Sequence, residues 1–295
     1  MQQTVMDAIK DVQKQERKQR KRIRLNRFLK TKAAVIGAII LLILTVVVLF
    51  APLLVKYTPI EVNAMNRLAS PNGDHYFGTD NLGRDLFSRI LYGCRISLIV
   101  GFSVTILSTL LGLLVGLYAS YYKALDNILM RICDGIMAFP SILLAIAVMA
   151  ILGPDIKNVV ICLTVVFTPH IARIVRSAAI VIREQTYIEA MKSLGASDIR
   201  IIFGHILPNT LSPLIVQATY IFAEVIILEA ALSFLGVGVP APNPSLGNIL
   251  YDGKLLIYSA WWMVVFPGVF VVLCVMALNL LGDGIRDLLD PKMKK

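Results

Sequence analysis

Long apolar runs separated by short polar segments make up most of the chain. The clearest run covers residues 33–55, which carry no charge and lie between Lys32 and Lys56. Comparable runs follow at residues 97–121, 136–152, 159–180, 211–235 and 261–281. Because a helix needs about 20 apolar residues to cross a bilayer, the pattern predicts six transmembrane helices.

The composition also favours a membrane protein. Of 295 residues, 57% are hydrophobic and 16% are charged, whereas soluble domains are about 45–50% apolar and about 25% charged. Such a chain cannot cover its surface with polar groups in water. Intrinsic disorder and a disulfide scaffold are excluded by the same comparison, and the sequence predicts an all-α integral membrane protein.

The basic residues predict how the chain is oriented. Residues 1–32 hold 11 of the 29 Lys and Arg residues. With that end in the cytoplasm, six spans place 22 basic residues on the inner side and 7 on the outer side. Cytoplasmic loops carry the excess of Lys and Arg, so both termini are expected in the cytoplasm. Topology thus accounts for the net charge of +10 without a nucleic-acid partner.

The predicted spans divide the chain into four parts. Residues 1–32 form a basic cytoplasmic segment that can also attract anionic membrane lipid. Residues 33–96 form the first transmembrane helix and a long outer loop. Residues 97–285 form a five-helix core with a cytoplasmic loop at 187–209, and residues 286–295 form a cytoplasmic tail.

Motifs that carry chemistry are scarce. The chain lacks a G-x-x-x-x-G-K-[ST] phosphate loop and an H-E-x-x-H metal motif. Its four cysteines show no ligand spacing, and we interpret them as buried thiols that behave as small hydrophobes. We therefore expect no catalytic residue, metal or cofactor on this chain. A membrane-embedded enzyme would need a polar cluster at one membrane depth, which the sequence does not show.

The cytoplasmic loop 187–209 is the most informative polar segment. We expect a helix leaving span four to end at Leu194, with Gly195 as its left-handed cap. Ser197 would cap a second short helix, which Pro208 would end before span five. The loop is also richer in apolar residues than a solvated loop requires, and we expect this surface to meet a protein partner. These residues are Ile188, Met191, Leu194, Ile201, Ile202 and Phe203.

The same loop resembles the signature loop of ATP-binding-cassette (ABC) importer permeases. The resemblance rests on Glu189-Ala190, Gly195 and Leu207-Pro208 at the family's spacing, while Met191 and His205 depart from the family pattern. In that family the loop forms a coupling helix that docks in a groove of the cytoplasmic ATPase. The residues that the resemblance assigns to docking are Glu189, Ala190, Gly195, Ala196, Asp198, Leu207 and Pro208.

Three further segments resemble the C-type permease subunit of dipeptide and oligopeptide importers. They are residues 77–85, 229–236 and 279–291. The first contains the outer-loop motif Gly78, Thr79, Asp80, Gly83, Arg84 and Asp85. This motif either contacts a partner protein or folds on itself, with Asp80 and Asp85 paired to Arg84 and Arg89.

The resemblance implies a type I ABC importer fold with an added N-terminal helix. It further implies a bacterial plasma-membrane permease for di- or oligopeptides. Its expected partners are a B-type sister permease, two ATPase subunits that hold ATP and Mg²⁺, and an extracellular or periplasmic binding protein. Nickel or another small ligand is an alternative substrate within the same branch.

Two acidic residues inside the fifth span are candidates for the pathway or gate. Glu224 and Glu229 are five residues apart, which corresponds to about 140° of rotation and about 7.5 Å of rise, so they do not form one carboxylate pair. Glu224 could meet a peptide's ammonium group, and Glu229 could brace the bundle. Each could instead be a protonated acid hydrogen-bonded between helices. A more distant alternative is an ion-coupled secondary transporter that uses Glu224 or Glu229, although we see no inverted repeat to support it.

Overall fold

The computed structural model describes residues 31–289, which fold as a bundle of helices without a β-strand. Residues 1–30 and 290–295 lie outside the described part, and with them most of the basic N-terminal segment and the end of the tail. The helices are α1 (Lys32–Leu49), α2 (Ala51–Leu54), α3 (Leu86–Tyr121), α4 (Lys123–Met137), α5 (Ser141–Leu152), α6 (Ile156–Arg183), α7 (Thr186–Ser193), α8 (Asp198–Ile201), α9 (Leu207–Phe234), α10 (Leu246–Gly253) and α11 (Trp262–Leu289).

Between residues 31 and 289, five helices are long and apolar enough to cross a membrane. The predicted third span at 136–152 is not one continuous helix. Pro140 separates α4 from α5, and the two helices meet at 93°. A proline lacks the N–H that would continue the helix and disfavours α geometry in the preceding residue. The count reaches six spans only if this bent pair is one span.

The second span begins 11 residues before the predicted start, at Leu86 instead of residue 97. Asp85 caps this helix, because its side chain accepts a hydrogen bond from the backbone N–H of Ser88. Arg89 and Arg95 interrupt the apolar run in the first turns of this helix. For this reason the apolar pattern alone does not predict that the helix begins at Leu86. Arg89 is nevertheless 98% buried, and its guanidinium group lies within 4 Å of Asp80 and of Asp252 in α10.

Small residues let the helices approach closely. A Cβ atom on Gly112 would lie 2.5 Å from the Cβ of Ile171, which places α3 directly against α6. A Cβ atom on Gly37 would lie 2.7 Å from the Cβ of Leu280, so α1 packs as closely against α11. Small residues such as glycine are enriched at the interfaces of membrane helices because they allow the backbones to approach closely. The added first helix is therefore part of the packed bundle.

Candidate coupling loop and transport pathway

The 187–209 loop is a helix–turn–helix, as expected, but its first helix is separate from span four. Helix α6 ends at Arg183, and α7 begins at Thr186 after a break at residues 184–185. The α7 helix then ends in a Schellman motif. Ala196 N–H donates to the carbonyl of Met191 and Gly195 N–H to that of Lys192, both at 3.0 Å. Gly195 has φ = +81°, so the predicted left-handed cap is present.

Ser197 and Pro208 behave differently from the prediction. Ser197 precedes α8, but its side chain makes no capping hydrogen bond. Pro208 does not end a helix; it lies at the start of α9, just after a π-helical turn at Ile202–Ile206. In that turn the N–H of Leu207 donates to the carbonyl five residues back, at Ile202. The wider turn accommodates the proline ring, which would clash with a carbonyl in a regular helix. As a result, Asp198–Phe234 runs as one helical unit of 37 residues.

The apolar residues of the loop divide into two groups. Ile188, Ile201 and Ile202 are buried in the protein's own core, so the expectation that they form a partner surface is wrong. Met191 is partly buried against the same core. Two residues do face outward: Leu194 is 86% exposed and Phe203 is 39% exposed. Sequence reasoning missed two further exposed apolar residues, Tyr187 and Ile199.

Polar contacts hold the 187–209 loop against the C-terminal end of α3. The Tyr121 hydroxyl donates a hydrogen bond to Asp198 Oδ1 at 2.6 Å, and the Tyr122 hydroxyl donates one to Asp198 Oδ2 at 3.1 Å. The Nζ atom of Lys192 lies 4.9 Å from the centre of the Tyr121 ring. Lys192 therefore faces α3 and forms no ion pair with Glu189, which is exposed. Asp198 thus points toward its own chain, while Glu189 and Ala190 face solvent.

The outer-loop motif folds on itself around buried charges. Asp80 accepts a hydrogen bond from Arg84 Nε at 2.6 Å and lies 3.4 Å from Arg89 Nε, as the second interpretation proposed. Asp252 of α10 joins the cluster at 3.3 Å from Arg84 Nη2. Burial raises the pKa of the Asp252 carboxyl, and the two guanidinium groups oppose that shift.

Asp85 does not pair with an arginine. Its Oδ1 atom lies 2.8 Å from His75 Nδ1, and its Oδ2 atom caps α3. Thr79 is fully buried, and Trp262 Nε1 donates to its carbonyl at 3.0 Å. Gly78 and Gly83 both have a positive φ, and a Cβ atom on Gly83 would lie 1.8 Å from the carbonyl oxygen of Asn63. Sequence reasoning missed His75 and Asp252, because each lies outside the motif.

The two acids of span five lie in opposite environments. Glu229 is fully buried; it accepts hydrogen bonds from Ser97 of α3 at 2.6 Å and from Ser233 at 2.9 Å. Ser233 in turn accepts a hydrogen bond from the backbone N–H of Val239 in the following outer loop. Glu224 is exposed and forms neither a hydrogen bond nor an ion pair with any residue between 31 and 289. Only Glu224 therefore presents a free carboxylate.

Comparison with known proteins identifies the family. Residues 108–295 match the family described as binding-protein-dependent transport system inner membrane component. The chain belongs to this family. A separate match at residues 21–71, to the N-terminal transmembrane domain of oligopeptide transport permease C, includes α1 and α2. The chain is thus a multi-pass transport permease subunit.

Curated relatives span almost the whole permease. The dipeptide transport system permease protein DppC of Alkalihalophilus pseudofirmus is 48% identical over 90% of this chain and 88% of its own length. The di/tripeptide transport system permease protein DppC of Pseudomonas aeruginosa is 41% identical over 90% of both chains. The glutathione transport system permease protein GsiD of Pectobacterium atrosepticum is 42% identical over 91% of this chain and 90% of its own length.

A solved structure supports the expected fold. A chain of the MetNI methionine ABC transporter, in an inward-facing conformation, matches with a TM-score of 0.59 and 25% identity. The match covers 98% of that chain and 70% of the permease. The fold is therefore that of a type I ABC importer permease, and the added first helix of the prediction corresponds to the separate N-terminal domain. An ion-coupled secondary transporter is excluded by the family.

Proposed function

We propose that this permease imports di- or oligopeptides as one half of a membrane pore, driven by separate ATPase subunits that dock on the 187–209 loop. The observation that carries the proposal is the construction of this loop. It is fastened to α3 through Asp198 and exposes a tip with Tyr187, Glu189 and Leu194. A rigid element with an exposed apolar and acidic end fits a docking groove on another protein.

The helical unit Asp198–Phe234 supplies the mechanical link. A displacement of the docked loop moves α8, and α8 continues through the π turn into α9. ATP binding would thereby rock the bundle from the inward-facing to the outward-facing state, and hydrolysis would reset it. In this proposal Gly195, Ala196, Leu207 and Pro208 shape the loop, while Glu189 and Ala190 touch the ATPase. ATP and Mg²⁺ stay on the ATPase subunits.

The relatives support peptide as the substrate. Their names refer to dipeptides, tripeptides and glutathione, so nickel is not favoured. We further propose a B-type sister permease as the other half of the pore and a binding protein that delivers the peptide from outside. In this arrangement the permease lies in a bacterial inner membrane, and both of its termini are on the cytoplasmic side.

The remaining candidate residues have structural roles in the proposal. Gly78, Thr79, Asp80, Gly83, Arg84 and Asp85 hold the outer loop against α3 and α10. Glu229 braces α3 against α9 through Ser97. Glu224 is the candidate for the pathway itself, because it is the span-five acid that has no hydrogen-bond or ion-pair partner among residues 31–289.

Reconstitution tests this function. The complete importer (both permeases, two ATPases and the binding protein) is placed in proteoliposomes with radiolabelled Ala-Ala outside and ATP at the ATPase face. We expect uptake that requires both ATP and the binding protein, with ATP hydrolysis stimulated by the loaded binding protein. Uptake that persists without ATP, or an absence of peptide uptake by the full assembly, would contradict the proposal.

A further inference from the structure

One face of α9 carries a row of polar residues inside the membrane. Gln217, Tyr220 and Glu224 follow at positions i, i+3 and i+7, so they lie above one another within about 60° of the helix surface. Glu229 is about 140° away from Glu224 and faces the core. Pro213, also on the polar face, lines a cavity of about 380 Å³ with Gln217 and Tyr220 in the first half of α9.

The row reaches the centre of the bilayer. Glu224 is ten residues before Phe234, the last residue of α9, and this separation corresponds to about 15 Å. That is half of a hydrocarbon core of about 30 Å. A charged side chain is energetically costly at this depth, so such residues face water or protein and not lipid.

Several charged groups near this face have partners among residues 31–289, whereas Glu224 and Arg286, which lines the cavity beside Tyr220, form no ion pair there. Tyr220 donates to Asp283 at 2.6 Å, and Arg173 of α6 pairs with Asp134 at 2.5 Å. His170 of α6 interacts electrostatically with Glu224 but forms no ion pair with it. The described chain therefore presents one uncompensated negative charge halfway across the membrane, with hydrogen-bonding groups leading from it toward the cytoplasm.

We propose that Glu224 binds the N-terminal ammonium group of the peptide in transit, and that Gln217 and Tyr220 form the polar track toward the cytoplasm. The inference rests on the proposed function and specifies the substrate group recognised there. A pore that accepts peptides with many side chains can recognise only the groups that all of them share. Among these groups, the ammonium is the one that a carboxylate attracts. An ion pair with the sister permease would need only the acid Glu224 and would not account for the two polar residues, Gln217 and Tyr220, on the same face.

Charge-neutral and charge-conserving variants of the complete importer test the proposal. Glu224→Gln keeps the shape of the side chain but removes its charge; Glu224→Asp keeps the charge; Glu61→Gln, an exposed outer-loop acid, is the matched control. We expect Ala-Ala uptake in proteoliposomes to fall at least tenfold in Glu224→Gln. Uptake should largely remain in Glu224→Asp and be unchanged in Glu61→Gln. Assembly and binding-protein-stimulated ATP hydrolysis should remain in all three.

The other outcomes contradict the role of Glu224. Normal uptake by Glu224→Gln would show that the charge is not needed. Loss of the sister permease on purification would assign Glu224 to the subunit interface, and loss of stimulated ATP hydrolysis with an intact assembly would assign it to the conformational cycle. Each result assumes a wild-type importer that transports the peptide. If the wild-type importer does not transport the peptide, that result would instead contradict the proposed function.

Thiol labelling tests the track independently of transport. Gln217→Cys places a thiol on the polar face, and Ile215→Cys places one on the exposed apolar face, about 160° away around the helix and at a similar depth. The four native cysteines are buried and give a low background. A charged methanethiosulfonate reagent should label Gln217→Cys at least ten times faster in the assembled importer. Equal rates, or faster labelling of Ile215→Cys, would contradict a water-filled track on this face.

Discussion

Individual residues of the permease differ in how much of their role is visible in the sequence. The left-handed cap at Gly195 follows from local rules, because a glycine after an amphipathic helix satisfies the last carbonyls. The partners of Asp198 do not follow from such rules, since Tyr121 and Tyr122 lie 77 and 76 residues away. The same limit applies to His75, which binds Asp85 only after the loop folds.

Gly195 allows a test of the cap that involves no steric clash. A Cβ atom would meet nothing within 4 Å at Gly195 or at Gly204, yet only Gly195 has a positive φ. Gly195→Ala should therefore cost about 1–2 kcal/mol of backbone strain and reorient the docking tip. We expect fewer peptides imported per ATP hydrolysed in Gly195→Ala and no change in Gly204→Ala, both measured in proteoliposomes. Equal coupling ratios in the two variants would contradict this view of the cap.

The two span-five acids should respond differently to the same substitution. Glu229→Leu leaves the hydroxyl groups of Ser97 and Ser233 without their acceptor in a dry core, at about 1–3 kcal/mol for each unsatisfied group. We expect a clearly lower Tm of the purified permease for Glu229→Leu, and a Tm close to wild type for Glu224→Leu. Equal Tm values would mean that Glu229 does not brace the bundle.

At the scale of elements, the coupling loop works through its attachment to α3 and its continuity with α9. The sequence predicted two short helices but placed a stop at Pro208, where the π turn instead carries the chain on into α9. Likewise, Pro140 lies inside the third predicted span, and it separates two helices that meet at 93°. Proline predicts a local perturbation. Whether the helix breaks or widens depends on the helices packed around it.

Removing single hydroxyl groups tests the attachment to α3. Tyr121→Phe deletes the 2.6 Å hydrogen bond to Asp198, and Tyr118→Phe changes a tyrosine one turn away that makes no hydrogen bond through its hydroxyl. A hydrogen bond to a charged group contributes about 1.5–3 kcal/mol. We expect faster proteolytic cleavage of the loop at residues 184–197 in Tyr121→Phe only. The same cleavage rate in both variants would show that this bond does not hold the loop.

At the scale of the whole molecule, the apolar pattern predicted the membrane class and the position of most helices. It failed where charges are buried: Arg89 made the start of α3 look like a loop, although Asp80 and the acidic residue of α10 neutralise it in the fold. Which side chains of the 187–209 loop face outward also required the three-dimensional packing, since Ile188 and Leu194 look alike in the sequence yet lie on opposite sides.

The most direct test of the whole account is affinity purification of the tagged permease from native membranes. We expect wild type and Glu61→Lys to bring down a second permease and two ATPase subunits. Glu189→Lys, which reverses the charge at the exposed tip of the loop, should keep the second permease and lose most of the ATPase. A wild-type chain that purifies alone and still transports peptide, or a Glu189→Lys variant that retains its ATPase fully, would contradict docking through this loop.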